Sequence, residues 1–147
     1  MASITAHWRR FEDLSAAELY ALLAFRQGIF VVEQRCPYPD LDGLDQSARH
    51  LLLAADGELV GCLRVIPQVA EVRIGRVAVA APLRGQGLGR RLMEEALRVC
   101  RERHAVQRVM LTAQFHLVRF YESFGFSAVS EPYDDFGLTH IDMAIPL

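Results

Sequence analysis

Three glycines at alternate positions, Gly85, Gly87 and Gly89, stand where an apolar run that ends at Val79 gives way to an amphipathic stretch that runs on from Leu88. Arg84 precedes them and Arg90 follows. A strand that enters a glycine-rich turn and leaves it as a helix points backbone N–H groups outward where no side chain blocks them. Such a turn cradles phosphate. The helix dipole adds about 0.3–1 kcal/mol per nearby charge at an exposed site, and Arg84 and Arg90 can add charge-assisted hydrogen bonds of about 1.5–3 kcal/mol each. A pyrophosphate is the expected guest. The dinucleotide pattern GxGxxG fails, because it needs glycine where Arg90 or Leu92 stands. The Walker loop fails as well: all sixteen basic residues are arginine, which also excludes a lysine Schiff base or a lysine general base. The alternative reading is a strand-to-helix turn whose glycines only permit tight packing.

The elements around this turn follow from local pattern. Ser15 and Glu18 form a capping box flanked by Leu14 and Leu19, so a helix starts at Ser15 with Leu19, Leu22, Leu23, the stem of Arg26 and Phe30 on its buried stripe. Cys36–Gly43 carries two prolines and an Asp-Gly pair and reads as a loop. Asp56-Gly57 joins His50–Ala55 to Glu58–Ile66 as an antiparallel hairpin, and Val72–Val79 is a third strand. The helix after the glycines buries Leu88, Leu92, Met93, Ala96, Leu97 and Cys100. A strand over Arg108–Thr112 follows, then a helix from about His116 to Ser123 capped at Gly125, and strands over Phe126–Ser130 and His140–Ile145. The expected class is an α/β (α+β) layered fold, one domain over residues 1–147, with parallel pairing only where a helix crosses over.

Composition narrows the function classes. The chain has 147 residues, 52% of them apolar and 23% charged, and a net charge of -2. That is an ordinary globular balance, and it argues against the basic footprint of a nucleic-acid binder. No apolar stretch approaches a membrane span, and the opening residues lack the apolar region of a secretory signal, so a cytoplasmic protein is expected. Cys36, Cys62 and Cys100 are read as reduced core residues. With the five histidines His7, His50, His104, His116 and His140 scattered, no metal is expected.

The segment Arg84-Gly-Gln-Gly87-Leu-Gly89 resembles the acetyl-CoA loop of the GCN5-related N-acetyltransferases, the GNAT family. Phe120-Tyr121-Glu-Ser-Phe-Gly125-Phe126 is similar to that family's second signature, and the stretch from Phe30 to Gly43 closely resembles its ElaA-type branch. The resemblance covers the whole chain. It implies the GNAT acyl-CoA N-acyltransferase fold, a mixed central sheet with a splayed parallel strand pair and flanking helices. It implies a bulge in the family's fourth strand that frees main-chain groups around Val77, Ala78 and Val79 for the pantetheine arm of acetyl-CoA. The pyrophosphate then lies on Arg84, Gly85, Gln86, Gly87, Leu88, Gly89 and Arg90. Gln114 stands where many members place a pantetheine-binding asparagine, and Tyr121 matches the tyrosine that protonates the departing thiolate.

The acceptor amine has to lose a proton before it attacks. An amine of pKa about 10.4 is neutral only about once in 2,500 at pH 7. Some members place a glutamate on the fourth strand for this, whereas the corresponding residue here is Arg73. Glu33, Glu71, His50 and His140 are the candidates, with Glu33 and His140 first, and each has a purely structural alternative. Asp40, Asp42 and Asp45 either draw a cationic acceptor to the site or cap turns. His116 and Arg119 read as solvated or cofactor-edge residues, and Trp8 as a core anchor.

The implied activity is transfer of an acetyl group from acetyl-CoA to an amine of a small molecule, peptide or protein, by a monomer or homodimer without nucleic-acid or membrane partners. Two alternatives stand beside it. Phe25-Arg26-x-x-Ile-Phe30 before an Asp-rich loop is similar to acyl-homoserine-lactone synthases, and the same loop could serve a non-catalytic acyl-CoA-binding sensor.

Overall fold

The computed structural model describes residues 3–103 and 107–147; His104 lies outside them. Its eight strands belong to one sheet of order β1-β2-β3-β4-β5-β8-β6, with β7 paired to β8 off that path. These are β1 (Ile4–Arg10), β2 (Arg49–Ala55), β3 (Glu58–Pro67), β4 (Glu71–Val79), β5 (Arg108–Gln114), β6 (Ser127–Ala128), β7 (Tyr133–Asp135) and β8 (Leu138–Pro146). Among the described residues only β4 and β5 run parallel. The helix α2 (Leu88–Arg103) makes the crossover between them.

The hairpin at Asp56-Gly57 forms as its sequence demands, both residues taking positive φ (51° and 81°). Helix α1 (Ala16–Gln27) starts on the expected capping box: Glu18 N–H donates to Ser15 Oγ at 3.1 Å, and Ser15 N–H to Glu18 Oε1 at 2.9 Å. It continues into a π-helical turn, Gly28–Glu33, in which Gln34 N–H reaches back to the Ile29 carbonyl. Leu22, Arg26 and Ile29, spaced four and three apart, are the buried positions, while Leu19, Leu23 and Phe30 sit half-buried at the flanks. The second helix seats its expected face, Leu92, Met93, Ala96, Leu97 and Cys100, on one side of the sheet against Leu51, Leu53, Leu63 and Val65. Each leucine, methionine or valine among them contributes about 1.5–3 kcal/mol by burial. Leu22 and Ile29 cover the other side over Leu52, Cys62 and Ala78.

Three features depart from the expectations. β1 is an added edge strand paired along its whole length with β2, and none of its residues is fully buried. The short β7 is a second addition, joined to β8 through Phe136-Gly137, again with positive φ at both. The late helical segment is a 3-10 turn, Phe115–Leu117, followed by the five-residue α3 (Val118–Glu122). Cys62 and Cys100 are core residues, their thiols pushed up to about 12 and about 11 by burial. Cys36 is half-buried at the edge of a cleft, against the expectation of a core residue. Trp8 rests against the main core and its Nε1 donates to Glu95 Oε1 at 3.1 Å. Among the described residues no helix is long and apolar enough to cross a membrane.

Candidate active site

Parallel pairing between β4 and β5 covers only Glu71 with Arg108, Val72 with Val109 and Arg73 with Met110. Beyond those pairs the two strands diverge, while β4 stays paired with β3 as far as Val79. The edge of β4 from Ile74 onward therefore faces a gap with no strand on it. A cleft of about 480 Å³ opens there. Its walls include Val77, Ala78 and Val79 from β4, Leu111, Thr112 and Gln114 from β5, Tyr121 from α3 and His140 from β8. The π-helical turn contributes Glu33.

The bulge in β4 is present. Cys62 faces Ala78 and Arg64 faces Gly75, so Arg76 and Val77 together oppose the single residue Leu63. Arg76 takes the left-handed conformation, φ 52°. Its side chain is held by Asp40, with Nε donating to Oδ1 at 2.6 Å and Nη2 to the carbonyl at 2.8 Å.

The glycine turn divides in two. Gly85 and Gly87 have φ of 81° and 84°, and a Cβ built on either would meet nothing within 4 Å. Gly89 lies inside α2, where a Cβ would meet the Phe120 ring at 3.4 Å, an ordinary contact. The first helical bond is donated by Arg91 N–H to the Gly87 carbonyl. The N–H groups of Leu88, Gly89 and Arg90 therefore stand at the open end of the helix. Neither flanking guanidinium is idle. Arg84 donates from Nε to the Val79 carbonyl at 2.9 Å and grips Glu33 with its other nitrogens. Arg90 reaches Ser123 Oγ at 2.8 Å and lies over the Phe124 ring. Of the turn, Arg84 joins the cleft wall, and Gly85, Gln86, Gly87, Leu88, Gly89 and Arg90 sit outside it.

Tyr121 is 7% exposed, and burial pushes its phenol up to about 12. Gln114 closes β5 and donates from Nε2 to Gln34 Oε1 at 3.3 Å. His140 Nδ1 lies 2.9 Å from the Leu138 carbonyl. A carbonyl only accepts, so Nδ1 carries the proton and Nε2 holds the lone pair when the ring is neutral. Glu33 has both oxygens on Arg84, whose hydrogen bonds hold its carboxyl below the usual range.

Two other candidate bases lie elsewhere. His50 is buried, with Nε2 donating to the Asp45 carbonyl at 3.0 Å, and Glu71 sits at the far end of β4 beside Arg73 and Arg108. The acidic loop is also not what its sequence suggested. Asp40 and Asp45 bind the buried Arg26 at 2.9 and 2.7 Å, and Arg64 bonds Asp45 at 2.9 Å and Asp42 besides. Three arginines neutralise three aspartates, so these acids add no net charge to attract an amine. One turn cap survives, Leu44 N–H to Asp42 Oδ1 at 3.1 Å. Arg26, Arg64 and Arg76 are the residues that sequence reasoning missed; the available signal was an arginine on the apolar stripe of α1. His116 lines the cleft from the 3-10 turn. Arg119 is exposed.

A half-open parallel pair with a bulged strand and a glycine turn at a helix start defines the class of acyl-CoA N-acyltransferases. Comparison with known proteins gives the same class: the family model described as an acetyltransferase (GNAT) domain matches residues 29–147. The chain belongs to the GNAT family and has its fold. It is 44% identical to protein ElaA of Escherichia coli over 137 residues, 90% of each chain. The crystal structure of that ElaA superposes with a TM-score of 0.92 at 42% identity, covering 97% of this chain and 99% of that one. An acyl-CoA N-acyltransferase from Pseudomonas aeruginosa gives the same TM-score, identity and coverage. A CoA-dependent acyl-homoserine lactone synthase superposes over 99% of this chain and 83% of its own with a TM-score of 0.81 at 17% identity, a likeness of fold alone.

Proposed function

We propose that this GNAT acyltransferase takes its acyl group from acetyl-CoA and delivers it to an amine of a small molecule, peptide or protein. The observation that carries the reading is the gap beside β4, where the bulge at Arg76 and the divergence of β5 leave a strand edge without a strand. Main-chain groups of Val77, Ala78 and Val79 bind the pantetheine arm along that edge. The backbone from Arg84 to Arg90 receives the pyrophosphate, with the positive φ of Gly85 and Gly87 keeping side chains off the approach. Since the guanidinium of Arg84 is engaged with Glu33, main-chain N–H groups and the helix dipole do most of the work there.

His140 accepts the amine proton at Nε2, its ring fixed by the bond from Nδ1 to Leu138. The neutral nitrogen attacks the acetyl carbon, the C–S bond breaks, and Tyr121 donates its phenolic proton to the sulfur; the second proton on the new amide nitrogen then leaves to restore the Tyr121 phenol, so that amide, CoA thiol and protonated His140 result. Glu33 serves the site through Arg84 rather than as the base. General acid and general base each contribute about 10²–10⁴ in such reactions.

The test is a panel of primary amines and peptides assayed for CoA release and for the acetylated product. Release that requires both acetyl-CoA and an amine supports the enzyme. Binding of acetyl-CoA with no turnover across the panel favours the sensor.

A further inference from the structure

The bulge that opens the cleft is an unfavourable piece of backbone. Arg76 sits at φ 52°, where a side chain with a Cβ is strained and where glycine would rest without cost. The residue is nonetheless arginine, and its side chain is held by three hydrogen bonds to the acidic loop. Nε and Nη2 bond Asp40 at its Oδ1 and at its carbonyl, 2.6 and 2.8 Å, and Nη2 also lies 3.4 Å from Asp42 Oδ2. From behind, the Cys62 thiol donates to the Arg76 carbonyl at 3.5 Å. Asp40 is itself anchored, 9% exposed, with its second oxygen on the buried Arg26.

We infer that Asp40 is a positioning residue for the acyl-CoA site: by gripping the Arg76 side chain it holds the left-handed backbone that forms the bulge. A regular β4 would let Arg76 relax to extended geometry and shift Val77 to Val79 out of their present register with β3. The acidic loop thus acts through the strand rather than through the acceptor. The inference rests on the acetyl-CoA reading above, because it assigns what the bulge is for.

Acetyl-CoA affinity measured by calorimetry on the full chain tests it, with substitutions that separate strain from charge. Arg76→Ala and Arg76→Gly remove the same guanidinium and leave Asp40 the same partner in Arg26, yet only glycine accepts the left-handed backbone freely. The expected result is a loss of about tenfold in affinity for Arg76→Ala and a markedly smaller loss for Arg76→Gly. In an Asp40→Asn background, which weakens the grip, adding Arg76→Gly restores affinity and adding Arg76→Ala does not. Equal affinities for the alanine and glycine variants would overturn the clamp, and so would Asp40→Asn at wild-type affinity. If Asp40→Asn fails to fold, the two single Arg76 variants still decide the question. Wild-type protein that binds no acetyl-CoA would instead remove the functional reading itself.

Discussion

Glu33 holds Arg84 by both carboxylate oxygens, Oε2 accepting from Nη1 at 2.6 Å and Oε1 from Nη2 at 3.0 Å. The pair ties the π-helical turn of the first helix to the entrance of the glycine turn, 51 residues later in the chain. Each partner is 42% exposed, so the pair stabilises the fold by only about 0–1 kcal/mol. Its consequence is for chemistry, because a carboxylate already engaged at both oxygens is a poor proton acceptor. Glu33→Gln is expected to lower kcat by less than about tenfold, below the usual contribution of a general base. Steady-state kinetics at saturating substrates checks it.

His140→Asn keeps an N–H able to reach the Leu138 carbonyl and deletes the basic nitrogen. The expected loss in kcat is about 10²–10⁴, with acetyl-CoA affinity within a few-fold of wild type. A kcat within a few-fold of wild type would assign the base elsewhere.

Tyr121→Phe removes the hydroxyl and keeps the ring. The expected fall in kcat is about 10–10³, with acetyl-CoA affinity within a few-fold of wild type. Because burial lifts the phenol to about 12, it remains a proton donor through pH 10 and the deficit does not shrink there. An unperturbed phenol near 10 would give a deficit that narrows across that range.

Stability should fall at both ends of the pH scale for separate reasons. Burial lowers the folded pKa of His50 beneath its ordinary 6.5, so the unfolded chain binds the proton more readily, and stability is lost as pH drops below that value. His50→Gln, which can still donate to Asp45, should flatten this slope in urea melts. Tyr121 has the opposite sign: its raised value gives stability that is full below about 10 and lost as pH climbs toward 12.

Asp45→Ala should cost about 3–5 kcal/mol in urea unfolding, since it leaves Arg26 and Arg64, which are 1% and 4% exposed, with one aspartate each and the buried network one negative charge short. Glu94→Ala, at an exposed helix pair with Arg90, should change stability by less than about 0.5 kcal/mol.

Local pattern carried much of this molecule. Ser15 with Glu18, Asp56-Gly57 and the Leu92 to Cys100 stripe each make a structure from neighbours within a few residues, and they form as read. The Arg84 to Gly89 turn and Tyr121 were legible for the same reason, as motifs with fixed spacing. β1 was not, because Ile4–Arg10 buries no side chain fully and pairs with a single strand, β2. The arginine–aspartate network was invisible because its partners lie 14 to 36 residues apart, where no period links them. Periodicity saw Arg26 as a stem on an apolar stripe; the fold buries its charge and supplies two aspartates.

Thermal unfolding with and without acetyl-CoA tests whether the gap beside β4 and the glycine turn form an acetyl-CoA site. At 100 times the dissociation constant a bound ligand adds about 2.7 kcal/mol, a rise in Tm of roughly 5–10 °C for a chain of this size. Wild-type protein should show that rise, and Gly87→Val, which puts a β-branched side chain at φ 84° on the approach to the turn, should lose it relative to its own unliganded Tm. No rise for the wild type, or an equal rise for the valine variant, would contradict the account.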